Sequence, residues 1–112
     1  MKSYQINTIN NPHKISVAPM MDCTDKHFRM IIRKISSKAL LYTEMIVAQS
    51  LIYTDKKERF LDFNSEEHPL SIQFGGDNPK MLEEAAKMAQ DWGYDEINFN
   101  VGCPSPRVCS GN

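Results

Sequence analysis

Cys103 stands between Gly102 and Pro104, at the end of the run Glu96-Ile-Asn-Phe-Asn-Val-Gly-Cys-Pro-Ser105. The run reads as a buried strand that stops at a glycine and delivers a thiol into a tight turn, where a cysteine does chemistry rather than fill a core. A thiol with an ordinary pKa of ~8.5 is mostly protonated at neutral pH yet yields its proton readily, which suits a general acid. The bland alternative is a small buried hydrophobe, the commonest fate of a free cysteine. Placement between glycine and proline at a strand end weighs against it. Asn98 and Asn100 lie two apart, so they share one face of the strand, opposite Ile97 and Phe99. Each amide offers both a donor and an acceptor. Either one alternatively serves as a satisfied amide that holds the turn, and for Asn98 both readings stand open.

The elements that position these groups follow from periodicity and breakers. Residues 1–14 are polar and broken by Asn10, Asn11 and Pro12, which reads as an N-terminal arm. Ile15–Ala18 is a short first strand before Pro19. Asp22 and Thr24 offer N-cap side chains to an amphipathic helix with Phe28, Ile31, Ile32 and Ile35 on its apolar stripe. Ala39–Thr43 reads as a second strand, Glu44–Tyr53 as a helix, and Thr54–His68 as a charged connection anchored by Leu61 and Phe63. Pro69–Phe74 is a third strand, closed by Gly75-Gly76. Asn78 as N-cap and Pro79 at the first helical position open a helix that Gly93 ends. Tyr94–Val101 is the fourth strand.

Alternation of strand and helix implies a parallel sheet with right-handed crossovers. Polar or special residues gather where each strand finishes: Pro19-Met20-Met21, Thr43-Glu44, Gln73 before Gly75-Gly76, and Asn98 to Cys103. An open sheet concentrates function at one switch point, whereas a (β/α)8 barrel uses the carboxyl rim of every strand. The expected fold is therefore α/β: the N-terminal half of a (β/α)8 TIM barrel, with four parallel strands and three intervening helices, over residues 15–112.

Composition narrows the remaining classes. The chain has 112 residues, with 13 basic against 14 acidic side chains and a formal charge of −1, so no global field demands nucleic acid. A local basic patch such as Lys56, Lys57 and Arg59 is compatible with phosphate contact, although a solvated charged loop is the default for such a cluster. Cys23, Cys103 and Cys109 match no Cys-x-x-Cys pattern, and His13, His27 and His68 have no metal-ligand spacing, so no metal is expected. No stretch approaches the ~20 apolar residues of a membrane span, and no signal-like segment is seen, which makes the cytoplasm the natural compartment and reduced thiols the natural state.

Motif by motif, the chain resembles the tRNA-dihydrouridine synthase family, and most of all its A-type subfamily. The matching residues are Val17-Ala-Pro-Met20 with Asp22 and Thr24-Asp25, Leu41-Tyr-Thr-Glu-Met45, Glu66-Glu-His-Pro69, Gln73-Phe-Gly-Gly76, and Gly93 to Ser105 with Arg107-Val108. The last block is highly specific, while Ala-Pro-Met at a first strand end is shared by several flavin-dependent barrels. The resemblance implies an FMN-dependent barrel followed by a helical tRNA-binding domain, and reduction of a uridine C5–C6 double bond in the D-loop of tRNA, with NADPH as reductant.

The resemblance also implies roles. Cys103 matches the general acid that protonates C5 of the uracil. Asn100 matches the residue that meets the target uridine, and an amide suits its imide edge. Gln73 matches the glutamine that hydrogen-bonds the flavin ring, and Pro19, Met20 and Met21 match the backbone wall against that ring. A flat apolar ring with a few polar edge atoms needs a smooth wall and one or two amides. Ordinary core packing is the alternative for Met20 and Met21, and a helix-start carboxylate is the favoured reading of Glu44. Cys109 departs from the family pattern, as does Pro106, and no role is indicated for Cys109 beyond adventitious pairing with Cys103.

Two other classes stay open on sequence alone: another FMN-dependent barrel oxidoreductase with a small substrate, and a non-catalytic remnant or interaction module. The family's second half-barrel, with its flavin-phosphate loops, and its helical domain have no counterpart within these residues. A four-stranded parallel sheet leaves two unpaired edges. The 112 residues alone are therefore expected to lack activity, to bind FMN weakly, and to self-associate through those edges. Size exclusion with flavin absorbance followed across the peak checks this: a colourless dimer or larger species is expected, and a monodisperse monomer carrying stoichiometric FMN contradicts it.

Overall fold

The computed structural model describes residues 13–109. Most of the proposed 1–14 arm lies outside the described residues. Four strands, β1 (Ser16–Val17), β2 (Leu40–Val47), β3 (Leu70–Gly75) and β4 (Glu96–Asn100), form one sheet in the order β1-β2-β3-β4, every pair parallel. Strand order that follows chain order without reversal, joined by crossovers of one hand, puts all the helices on one face. That is the first half of a (β/α)8 barrel, as the motif pattern anticipated, and not a doubly wound sheet with a switch point.

The crossovers are α1 (Lys26–Ile35), then α2 (Ala48–Tyr53) with α3 (Glu58–Leu61) and a 3₁₀ turn at Ser65–Glu67, then α4 (Pro79–Trp92). Asp25 caps α1, its carboxylate accepting from the Phe28 N–H at 2.8 Å. Neither Asp22 nor Thr24 does so, contrary to expectation. Thr24 is buried and closes the preceding turn by bonds to both backbone groups of Met20. Helix α4 begins and ends as its sequence dictates, with Asn78 accepting from the Lys80 and Met81 N–H groups and Gly93 at φ 103°.

Strand β2 is longer than its sequence suggests. Thr43 and Glu44 lie inside it, at an irregularity in its register with β3 between Tyr42 and Met45. The Glu44 carboxylate is thus not at a helix start; α2 begins only at Ala48. Pairing of Met45, Ile46 and Val47 with Gln73, Phe74 and Gly75 of β3 overrides the weak helical preference of Glu44-Met45. The charged connection is also more ordered than expected. Lys57 donates to the Ile52 and Thr54 carbonyls at 3.4 and 2.9 Å, closing the end of α2 rather than extending into solvent.

Side chains alternate across β3: Leu70, Ile72 and Phe74 join Leu41, Leu51, Ala85 and Ala89 in the core under the helices, each fully or almost fully buried. Burial of each large side chain contributes about 1.5–3 kcal/mol. The opposite face carries Ser71, Gln73 and Gly75.

Where β3 begins is held by a polar knot. Glu67 is fully buried; its carboxylate pairs with the Arg29 guanidinium and accepts the Asn64 N–H as part of a capping box. Arg29 also donates to the Thr24 carbonyl at 2.9 Å. Arg33, whose pKa burial lowers, donates to the carbonyls of Glu67, Pro69 and Ser36. Removing one partner of a buried pair strands the other. Arg29→Met is expected to destabilise the fold by about 3–5 kcal/mol in urea titration, against less than ~1 kcal/mol for loss of the exposed Lys34–Glu66 pair.

Candidate active site

At the carboxyl ends of β3 and β4 three side-chain amides meet. Gln73 and Asn98 are register neighbours, as are Gly75 and Asn100. Gln73 is 9% exposed, its Nε2 donates to Asn98 Oδ1 at 2.7 Å, and Asn100 Nδ2 reaches Gln73 Oε1 at a longer 3.5 Å. The Gln73 N–H donates to Thr43 Oγ1 at 3.2 Å, and the Thr43 hydroxyl donates onward to the Glu44 carbonyl at 2.8 Å. Thr43 therefore braces Gln73 from β2 at the register irregularity.

Cys103 follows directly. The Gly102 N–H donates to Asn100 Oδ1 at 3.0 Å, which turns the chain out of β4 just before the cysteine. Cys103 is half-buried. Beyond it the Ser105 carbonyl accepts from the Val108 and Cys109 N–H groups at 2.9 and 3.0 Å, forming a compact turn. Val108 is buried against the sheet: a Cβ on Gly75 would lie 3.2 Å from Val108 Cγ1 and 2.8 Å from Met45 Sδ. A glycine at position 75 thus opens the space into which the cysteine-bearing segment docks. The Cys109 thiol points at the Cys103 carbonyl oxygen at 3.6 Å.

Gln73, Asn98, Asn100 and, through Gly102, Cys103 are brought together. Pro19, Met20 and Met21 are placed after β1, which lies two strands from β3, roughly 10 Å at ordinary strand spacing. Met20 and Met21 are 41% and 60% exposed. A cavity of about 710 Å³ opens at the end of β2, between α1 and α3, and Met21, Thr43, Glu44, Arg59 and Arg107 are among its lining. Its charges are mixed in sign.

A lower row crosses the same face. The Tyr42 hydroxyl meets Glu96 Oε1 at 3.2 Å, and Tyr42, Ser71 and Glu96 are register neighbours. Burial pushes the Tyr42 phenol above its ordinary range, and the Glu96 carboxylate adds to the shift. The pairing of Tyr42 with Glu96 and the packing of Met45 and Val108 at the rim are not expected from the sequence, whereas Thr43 is named there as a strand-end residue. The period-two placement of Glu96 with Asn98 and Asn100 was the available signal for Glu96; nothing local marked the others.

Parallel strands in chain order, with polar side chains gathered at their carboxyl ends, define half of a (β/α)8 barrel built to carry an active site. The family model for dihydrouridine synthase (Dus) matches residues 16–112. The chain belongs to the dihydrouridine synthase family. It is 58% identical over 98 residues to a tRNA-dihydrouridine(20/20a) synthase of Synechocystis sp., covering 88% of this chain and 29% of that relative. Similar enzymes of Vibrio cholerae and Xanthomonas campestris are 54% and 52% identical over the same coverage. The chain spans 29% of the length of these relatives.

Docking of Val108 beside Gly75 predicts a measurable effect on the thiol. Val108→Ala should loosen the 103–109 segment and speed alkylation of Cys103 by iodoacetamide several-fold, read by peptide mass spectrometry, with Cys23 as the internal control. An unchanged Cys103 rate would show that Val108 does not hold that segment.

Proposed function

We propose that this chain forms the front of the active site of a tRNA-dihydrouridine synthase, which adds hydrogen across the C5–C6 double bond of a uridine in the tRNA D-loop. The observation that carries the reading is the amide cluster of Gln73, Asn98 and Asn100 running directly into Cys103, in a chain of the dihydrouridine synthase family. The relatives' names supply the tRNA substrate and the 20/20a designation.

The residues present fit a flavin. Exposed methionines at one strand end and a largely buried amide two strands away offer an apolar wall and a polar edge contact. Pro19, Met20 and Met21 would hold the ring's face, and Gln73 its edge. When bound, FMN supplies the hydride equivalent that C6 receives, with NADPH as the external reductant. Cys103 Sγ–H would give its proton to C5 of the base. Asn100 orients the uracil edge: its Oδ1 already accepts from Gly102, leaving a second lone pair and the remaining Nδ2 hydrogen for the imide. In the whole protein a second half-barrel closes the sheet, and the helical domain binds tRNA.

The test uses a hybrid in which residues 16–112 replace the matching segment of the Synechocystis relative. The hybrid should form dihydrouridine in unmodified tRNA. Cys103→Ala should abolish product while flavin stays bound and reducible by NADPH; full product yield from that variant removes the cysteine from the mechanism. Gln73→Ala should weaken FMN binding by about 1–3 kcal/mol, the cost of leaving a buried polar partner unpaired. Unchanged affinity and absorbance would reduce Gln73 to a strand residue.

A further inference from the structure

A side-chain amide can be turned over without changing its shape, so its direction must come from a partner that cannot turn. At this site that partner is the Gly102 N–H, which only donates. It obliges Asn100 to present Oδ1 to Gly102. Asn100 Nδ2 then faces Gln73, which must answer with Oε1. Gln73 Nε2 is thereby turned toward Asn98, whose Oδ1 accepts it.

We propose that Asn98, Gln73 and Asn100 form a polarised amide relay, its direction set by the Gly102 N–H, in which Asn98 is a positioning residue for both Gln73 and the Cys103 segment. The proposal rests on the functional reading above and adds a role to Asn98. Gln73 is the proposed contact to the flavin, and Cys103 the proposed donor to the base. The relay links the two through three hydrogen bonds, so the amide facing the cofactor and the turn carrying the acid take up one arrangement together. Asn98 closes the chain: without an acceptor there, Gln73 is free to turn over, and it would then offer Asn100 a donor against a donor. The requirement on residue 98 is an acceptor toward Gln73, a narrower demand than polarity alone. Aspartate meets it, and leucine, of nearly the same shape, does not.

The first measurement uses the 112-residue chain and is independent of catalysis. Hydrogen exchange by NMR is followed at the Gly102 N–H, with the Ile72 N–H inside β3 as the control for global folding. Asn98→Leu should speed Gly102 exchange about fivefold while Ile72 keeps its protection, and Asn98→Asp should leave Gly102 close to the parent. Gly102 exchange that ignores Asn98→Leu overturns the relay. The second measurement uses the hybrid. Asn98→Leu should weaken FMN binding about tenfold, the size of one net hydrogen bond, shift the flavin absorbance, and slow oxidation of reduced flavin by tRNA. Asn98→Asp should restore most of both. Equal damage from aspartate and leucine overturns the acceptor requirement, since a merely structural side chain would alter stability without this ordering. A parent hybrid that binds no flavin and makes no dihydrouridine would instead sink the functional reading, while the exchange result still decides the relay.

Discussion

Glu67 carries a carboxylate with no exposed surface, three residues before β3 begins, and the position of the whole site follows from how that charge is met. A buried anion is tolerated only with close partners, here the Arg29 guanidinium from α1 and the Asn64 N–H from its own turn. Arg33 adds bonds to the carbonyls of Glu67 and Pro69, so two successive charged residues on one helix face grip the chain on both sides of His68. Leu70 then enters the sheet, its N–H held by the Asp95 carboxylate at 2.7 Å, and Asp95 also meets His68 Nδ1 at 2.6 Å. The start of β3 is thus pinned from α1 and from the chain entering β4.

That pinning matters because strands have a period of two. A slip of one residue would turn Gln73 into the apolar layer under α4 and send Ile72 and Phe74 to the other face. With the register as found, the face away from the helices is polar in successive rows: Tyr42, Ser71 and Glu96 below, Gln73 and Asn98 above, and Gly75 with Asn100 at the rim. In a closed barrel this face is interior, where polar groups must find one another. They do so laterally, strand to strand, which converts a requirement of burial into a preorganised array of amides.

The rim shows a division between groups that present chemistry and groups that make room for it. Gly75 leaves a vacancy in the row, Met45 and Val108 fill it, and the segment bearing Cys103 is thereby laid over the sheet end. Thr43, placed by the irregularity in β2, holds the backbone of Gln73 at 3.2 Å. None of these three side chains is proposed to touch a substrate, and each decides where a proposed contact lies.

Much of this was legible in the residue order. The apolar stripe, Asn78, Pro79 and Gly93 specified α4 to the residue, because capping is local chemistry that the chain carries with it. Four strands, their direction, and the grouping of Gln73, Asn98, Asn100 and Cys103 at one end of the sheet also followed from alternation and punctuation. Other features did not. Glu44, expected at a helix start, lies within β2, since pairing of Met45 to Val47 with β3 outweighs a small intrinsic preference. Asp25 rather than Asp22 or Thr24 caps α1, because Thr24 is taken into the turn that begins at Met20. The contacts of Gln73 with Asn98 and Asn100, the Tyr42–Glu96 pair and the docking of Val108 join residues tens of positions apart, and only the register of parallel strands decides which of them become neighbours. Sequence determined which chemical groups face the same way along each strand; the tertiary structure decided which of those groups touch, because lateral contact in a parallel sheet is set by where each crossover returns the chain.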